Sequence, residues 1–138
     1  MFKRILSVIG LLVLATLLTG ALTAAAPMPN VTFTLVSGLP PTMNVGDTVT
    51  VIVQVESDQE FNYAQMLPTF YFPGRGVVAI QGGDHAGSGA SATLEITFKA
   101  KGSTAEFGGP APVSVVAGVR FRGGYTTYQR FDFNVTVP

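Results

Sequence analysis

The strongest constraint on folding in this sequence is an alternating stretch at positions 45–56, VGDTVTVIVQVE. Every second residue from position 49 to 55 is a valine, and most residues between them are polar. Period-two alternation of β-branched residues is typical of a strand that buries one face. The same alternation recurs along the chain, so we predict that residues 31–138 form a single all-β domain.

About seven strands are predicted, separated by turns rich in glycine and proline. They lie at residues 31–35, 48–56, 61–72, 77–80, 92–101, 113–121 and 125–137. No helix is indicated after Ala26. For a chain of this length, the pattern predicts a seven-stranded antiparallel sandwich.

The connections carry their own signals. Residues 57–60 predict a polar turn, and the glycine-rich residues 82–89 predict a flexible loop. Gly123 and Gly124 predict a tight hairpin turn, because glycine tolerates the positive φ angles that such turns need. Pro68 lacks a backbone N–H, so it predicts that residues 61–72 form an edge strand or two short pieces.

The first 26 residues differ from the rest of the chain. Lys3 and Arg4 precede 22 uncharged residues, 5–26, which end in small side chains. This is the pattern of an export signal, with cleavage favoured after Ala25. A retained anchor is the alternative, since 22 helical residues span about 30 Å, the thickness of a bilayer core. A positively charged N-terminus would then stay in the cytoplasm.

Both alternatives place the domain outside the cytoplasm, so we expect an exported protein that is extracellular, periplasmic or at the cell surface. Membrane contact is expected if the N-terminal segment is retained. Residues 27–30 would form a short proline-containing spacer between that segment and the sandwich domain, residues 31–138.

Composition argues against most catalytic chemistry. The chain has no cysteine and one histidine, His85, and its formal net charge is zero. A transition-metal site needs three or four converging ligands, which one histidine and scattered carboxylates do not provide. We therefore predict no catalytic residue, no cofactor and no metal site. Three nearby arginines are too few for a nucleic-acid footprint, so no nucleic-acid partner is predicted.

Aromatic residues concentrate within residues 61–72. Exposed aromatic side chains mark contact surfaces for proteins or sugars. The predicted interaction surface comprises Phe61, Tyr63, Tyr71, Tyr125, Tyr128, Arg120 and Arg122. The alternative is that Phe61, Phe70 and Phe72 belong to the core and that the tyrosines lie at the ends of the sheets.

Two stretches resemble a known family. Residues 43–51, MNVGDTVTV, are similar to the entry of the second strand in bacterial Ig-like and cohesin-like surface domains, and residues 94–102, LEITFKAKG, are similar to a later strand of that group. The resemblance implies an Ig-like sandwich. It also implies an extracellular, non-catalytic module used in adhesion, in binding of carbohydrate or protein, or in scaffolding of the cell envelope.

We therefore expect a non-enzymatic structural or protein-interaction subunit at the cell surface. With a retained anchor, it would be an accessory subunit of a membrane complex or a filament. Expected partners are other surface or membrane proteins, or further copies that associate through edge strands. The alternative is a module that binds carbohydrate or a protein ligand through the aromatic residues 61–72.

Overall fold

The computed structural model describes residues 27–70 and 74–138. In these residues, eight strands form two four-stranded sheets, and every pairing between strands is antiparallel. The first sheet has the order β1-β2-β6-β4 and the second β5-β3-β7-β8. The strands are β1 (Val31–Ser37), β2 (Thr48–Phe61), β3 (Tyr63–Phe70), β4 (Val78–Ile80), β5 (Asp84–Ala86), β6 (Gly89–Ala100), β7 (Ala111–Arg120) and β8 (Thr126–Val135).

The alternating stretch forms the centre of the first sheet. β2 pairs with β6 in a register that places Val51 opposite Ile96 and Val53 opposite Leu94. All four side chains are fully buried, whereas the intervening residues point outward, as the alternation predicts. The hydrophobic core lies between this face and the inward face of the second sheet. The predicted all-β sandwich is confirmed, with eight strands where about seven were expected.

The predicted polar turn at residues 57–60 is wrong, because β2 continues through it to Phe61. The alternation persists there, with Ser57 and Gln59 partly buried and Asp58 and Glu60 exposed. Pairing with β6 becomes irregular between Glu56 and Phe61. The chain then bends after Phe61 and continues as β3 in the other sheet, so this polar stretch is a crossing between sheets.

Pro68 lies within β3, where it pairs with Val115 of β7. On its other side, β3 pairs with β5 only from Ala64 to Met66. From Leu67 onward, β3 therefore has no neighbouring strand on that side among the described residues. The missing N–H of Pro68 faces an unpaired edge, which explains why a strand with a paired interior tolerates proline.

Residues 74–86 close one side of the sandwich. A single helical turn, Gly74–Val77, leads into β4, so the predicted strand 77–80 begins one residue later. The loop predicted at residues 82–89 contains β5, which pairs with β3. Asp84, the first residue of β5, also contacts the first sheet, because its carboxylate accepts a hydrogen bond from the Glu95 N–H of β6 at 2.9 Å. This short segment therefore caps the edges of both sheets in turn.

The hairpin prediction is confirmed. Gly123 and Gly124 both have positive φ angles, 93° and 94°, and the Gly124 N–H donates to the Phe121 carbonyl at 3.1 Å. The loop before β7 contains a single 3-10 turn, Ala105–Phe107. No helix in the described part of the chain is long and apolar enough to cross a membrane. The predicted signal or anchor, residues 1–26, lies outside the described residues.

Candidate interaction surface

The outward face of the second sheet brings together side chains from β3, β7 and β8. The register aligns them in rows: Tyr63 beside Arg120, Leu67 beside Val116, and Gly118 between Gln65 and Tyr128. Alternation turns Ala64 and Met66 into the core and leaves Tyr63, Gln65 and Leu67 facing outward. The face is therefore assembled from strands that are far apart in sequence.

Four hydrophobic side chains form what we call the apolar face: Tyr63, Leu67 and Tyr128, which are exposed, and Val116, which is half-buried. Leu67 is 54% exposed and Tyr128 is 72% exposed. The outward face of the first sheet is mostly polar, apart from the half-buried Ile52, and several polar side chains there bond to one another. Thr50 and Thr97 lie 2.9 Å apart, for example, and Thr93 donates to Gln54 at 2.6 Å.

An open hollow of about 150 Å³ lies on the apolar face. Gly118 has no side chain, and a Cβ built there would approach Tyr128 Cβ to 3.4 Å. The missing side chain therefore keeps the space between neighbouring rows open. The hollow is lined by Tyr63, Gln65, Leu67, Val116, Gly118, Val119, Arg120 and Thr126.

Charged side chains border the apolar face. Arg120 lines the hollow and is exposed. Further along β8, Asp132 accepts hydrogen bonds from Ser114 Oγ at 2.5 Å and from Arg130 Nε at 2.6 Å. These two hydrogen bonds hold the pKa of Asp132 below its usual value, and the bond from Ser114 has the larger effect. The face therefore presents a positive charge at Arg120 and a neutralised pair at the opposite end.

The structure separates the predicted surface residues into groups. Tyr63, Arg120 and Tyr128 lie together on the outward face. Arg122, in the hairpin turn, lines a separate hollow with Glu60 and Asn62. Tyr125 packs against Phe121, with ring centroids 5.8 Å apart. Tyr71 lies outside the described residues.

Phe61 is a correction to the predicted surface, because its side chain is only 1% exposed. Its ring meets Phe121 edge to face, with centroids 6.5 Å apart and an interplanar angle of 82°. Phe70 similarly packs edge to face on Phe98 of the core, at 6.1 Å. For these two phenylalanines, the alternative prediction of a core position is confirmed. Phe72 lies outside the described residues.

Sequence reasoning missed Leu67, Val116 and Gly118. Leu67 and Val116 occupy outward positions of their strands, where alternation predicts polar residues. A hydrophobic residue at such a position indicates a contact surface, and the sequence alone shows this departure. Gly118 interrupts β7 without ending it, and glycine inside a strand often marks a place where another group approaches closely. That these positions are adjacent depends on the β3–β7 register, which the sequence does not state.

The remaining polar groups do not converge on a reactive centre. Within residues 27–70 and 74–138, no group of three or more His, Asp or Glu side chains is placed to hold a metal ion. His85 lies on β5, beside Gln65, and is exposed. The neighbouring Asp84 carboxylate is engaged with the backbone of β6.

Comparisons with known proteins identify no family. No protein-family model matches the chain, and no curated protein matches it. Similar solved structures include native Escherichia coli alpha-2-macroglobulin, at 15% identity with a TM-score of 0.47, covering 82% of this chain and 7% of that one. Spo0M, the Bacillus subtilis sporulation control protein, is 18% identical with a TM-score of 0.42, covering 80% of this chain and 50% of that one.

Murine CRIg is a third example, at 10% identity with a TM-score of 0.37, covering 81% of this chain and 99% of that one. At these identities and TM-scores, none of the three structures assigns a family or a function to this chain. The chain also spans only a small fraction of the macroglobulin's length. The all-β sandwich is therefore established by its own strand pairing, and the resemblance to bacterial Ig-like and cohesin-like domains stays a prediction at family level.

Proposed function

We propose that this chain is a non-enzymatic, exported Ig-like module that binds a protein partner through the apolar face. One observation carries the proposal: Tyr63, Leu67 and Tyr128 are exposed on one sheet beside the half-buried Val116, whereas most outward side chains of the opposite sheet are polar. Exposed hydrophobic surface bordered by polar groups is typical of protein contact sites.

The partner's chemistry follows from the hollow. Its lining includes the aliphatic side chains of Leu67, Val116 and Val119, and its charged lining residue is Arg120. A protein segment that presents an apolar side chain beside a carboxylate would fill the hollow and pair with the arginine. The proposed partner is therefore a surface or membrane protein with such a segment.

Export is the second part of the proposal and rests on the sequence. Lys3 and Arg4 followed by 22 uncharged residues favour a signal peptide or an anchor. If the segment is retained, the module becomes an accessory subunit held close to the membrane by the short spacer. Mass spectrometry of the natural N-terminus tests this. A chain that starts near Ala26 eliminates the anchored form, and an intact Met1 or Phe2 eliminates the secreted form.

Photo-crosslinking in the source cells tests the binding surface. A crosslinking amino acid at Leu67 should give a discrete adduct with one protein, whereas one at Thr93, exposed on the opposite sheet, should give none. Arg120→Glu should abolish the Leu67 adduct, because it reverses the charge beside the hollow. Lys99→Glu makes the same change on the first sheet and should leave the adduct intact. Equal adducts from both probe positions, or an adduct insensitive to Arg120→Glu, would refute the proposed surface.

Carbohydrate binding is the alternative, and the observation that favours it is the pair of exposed tyrosines, Tyr63 and Tyr128, on one face. Sugars stack on such rings. A glycan array distinguishes the two functions. Binding of a defined glycan that is lost in Tyr63→Ala or Tyr128→Ala but retained in Leu67→Ala would replace the protein-partner proposal.

A further inference from the structure

The edge strand β1 lacks, over residues 31–35, the usual protection against pairing. It lies at the end of the first sheet, and no described strand pairs with its outer side. Its sequence, VTFTLVS, contains no charged residue, proline or glycine. Natural edge strands are usually short, charged or interrupted, because an open edge can recruit another strand.

The other sheet edges differ from β1. β4 and β5 contain three residues each. β8 carries the Arg130–Asp132 ion pair, and beyond its end the Thr136 N–H donates to the Pro41 carbonyl at 2.9 Å. The long, uncharged edge is therefore a property of β1 among the described strands.

The pairing of β1 with β2 identifies which backbone groups face outward. The Asn30 carbonyl accepts from the Asp58 N–H at 3.1 Å, which makes these residues a hydrogen-bonded pair. In an antiparallel ladder, such pairs alternate with pairs whose N–H and C=O groups point away from the partner strand. The outward groups of β1 therefore belong to Val31, Phe33 and Leu35.

Both ends of this edge are blocked. Pro29 is the next outward position before Val31, and it has no N–H to donate. After Leu35 the register shifts, so that Ser37 pairs with Ile52, and the irregularity disrupts the ladder. The accessible edge is therefore the five residues 31–35, and Phe33 is its centre.

We propose that two copies of the chain associate through antiparallel pairing of β1 with β1, about a two-fold axis at Phe33. In this register, Phe33 pairs with Phe33 of the second copy, and Val31 pairs with Leu35 of the second copy. Each of these pairs exchanges two hydrogen bonds, so every outward group of residues 31–35 is satisfied. The first sheets of the two copies join into one continuous sheet. This association uses a different sheet from the apolar face and does not depend on the proposed function.

A second copy fits this edge because the edge complements itself. The accessible length is the same on both sides of Phe33, so a two-fold axis pairs every outward group of residues 31–35. Thr32 and Thr34 are exposed on the outward face, and the register places Thr32 opposite Thr34 of the second copy. Cross-strand threonine pairs are favourable, and no like charges meet. An unrelated strand could also pair with the outward N–H and C=O groups, but β1 has no charged side chain that would favour one such partner.

Charge substitution at these threonines tests both the association and its register. The full chain, purified in detergent, should be dimeric by light scattering. The double variants Thr32→Lys/Thr34→Lys and Thr32→Glu/Thr34→Glu should each lose the dimer, because like charges oppose one another across the axis. Mixing the two variants should restore it, since each lysine then meets a glutamate. Thr32→Lys/Thr34→Glu should dimerise alone. Both threonines are exposed, so the core is unchanged, and circular dichroism confirms folding.

The chain has no natural cysteine, so a second readout is available. A mixture of Thr32→Cys and Thr34→Cys chains should form a heterodisulfide, because opposed residues of this type lie about 4.5 Å apart at Cα, within disulfide reach. A monomeric wild type, a dimer that survives the paired lysines, or a mixture of charge variants that stays monomeric would each overturn the proposal.

Discussion

Replacing Phe61 by alanine should destabilise the fold, although sequence reasoning had assigned this residue to the interaction surface. Its side chain is 1% exposed and meets Phe121 edge to face, where β2 crosses from the first sheet to the second. Burial of a phenylalanine contributes about 1.5–3 kcal/mol, and an aromatic pair adds about 0.5–1.5 kcal/mol. With the cavity that alanine leaves, the expected loss in free energy of unfolding is about 3–5 kcal/mol.

Urea denaturation followed by circular dichroism measures this loss as a lower midpoint with an unchanged slope. Tyr63→Ala is the matched control, because it removes an aromatic ring two residues away that is 39% exposed, and its cost should be much smaller. Phe61→Leu should fall between them, and it keeps the test valid if the alanine variant does not fold. A Phe61→Ala midpoint equal to that of Tyr63→Ala would refute the assignment of Phe61 to the core.

Three further predictions concern backbone packing, a buried hydroxyl and a surface carboxylate. Gly74→Ala should lower the free energy of unfolding by about 1–3 kcal/mol, because the added Cβ would lie 2.5 Å from the Pro112 carbonyl oxygen of β7. Gly76→Ala, in the same helical turn, is the control, because its Cβ would meet only an ordinary contact. Equal thermal midpoints for the two variants would contradict this prediction. Thr104→Val should lower the free energy of unfolding by about 1–3 kcal/mol, because the buried Thr104 Oγ1 accepts a hydrogen bond from the Val137 N–H at 3.0 Å. Thr104→Ser keeps this oxygen and should cost less in the same urea denaturation assay. The lowered pKa of Asp132 means that its contribution to stability is present above the ordinary value of 3.8 and is lost as pH falls through the folded-state pKa. Wild type should therefore exceed Asp132→Asn in urea midpoint at neutral pH, and the difference should shrink below pH 3.8; a difference that grows in acid would reverse the sign of the assigned shift.

Local alternation determined most of the strands without help from the fold. Val51, Val53 and Val55, and the inward positions of β7, follow directly from period two, because each strand buries one face whatever its neighbour is. The glycine turn at Gly123 and Gly124 was equally local, since its positive φ angles depend on residue type alone. These features required no knowledge of which strands pair.

The polar residues 57–60 show where local reasoning failed. Their composition is typical of a turn, but pairing with the N-terminal neighbours of β1 keeps them extended: the Asp58 N–H donates to Asn30, and the Asp58 carboxylate accepts from the Asn30 N–H at 2.8 Å. Likewise, β5 is too short to show a period of its own, and it is a strand only through its pairing with β3. Long-range hydrogen bonds decided both elements.

For the candidate site, the sequence by itself determined the components and the tertiary structure decided their arrangement. Composition established the absence of cysteine and the single histidine, and alternation placed Tyr128 on an outward face. Only the register of β3, β7 and β8 could place Leu67 beside Val116 and open a hollow at Gly118, because residues about 50 positions apart become neighbours through strand pairing. Phe61 was likewise buried by tertiary structure, since the chain crosses between the sheets after β2 and the Phe61 ring packs onto Phe121.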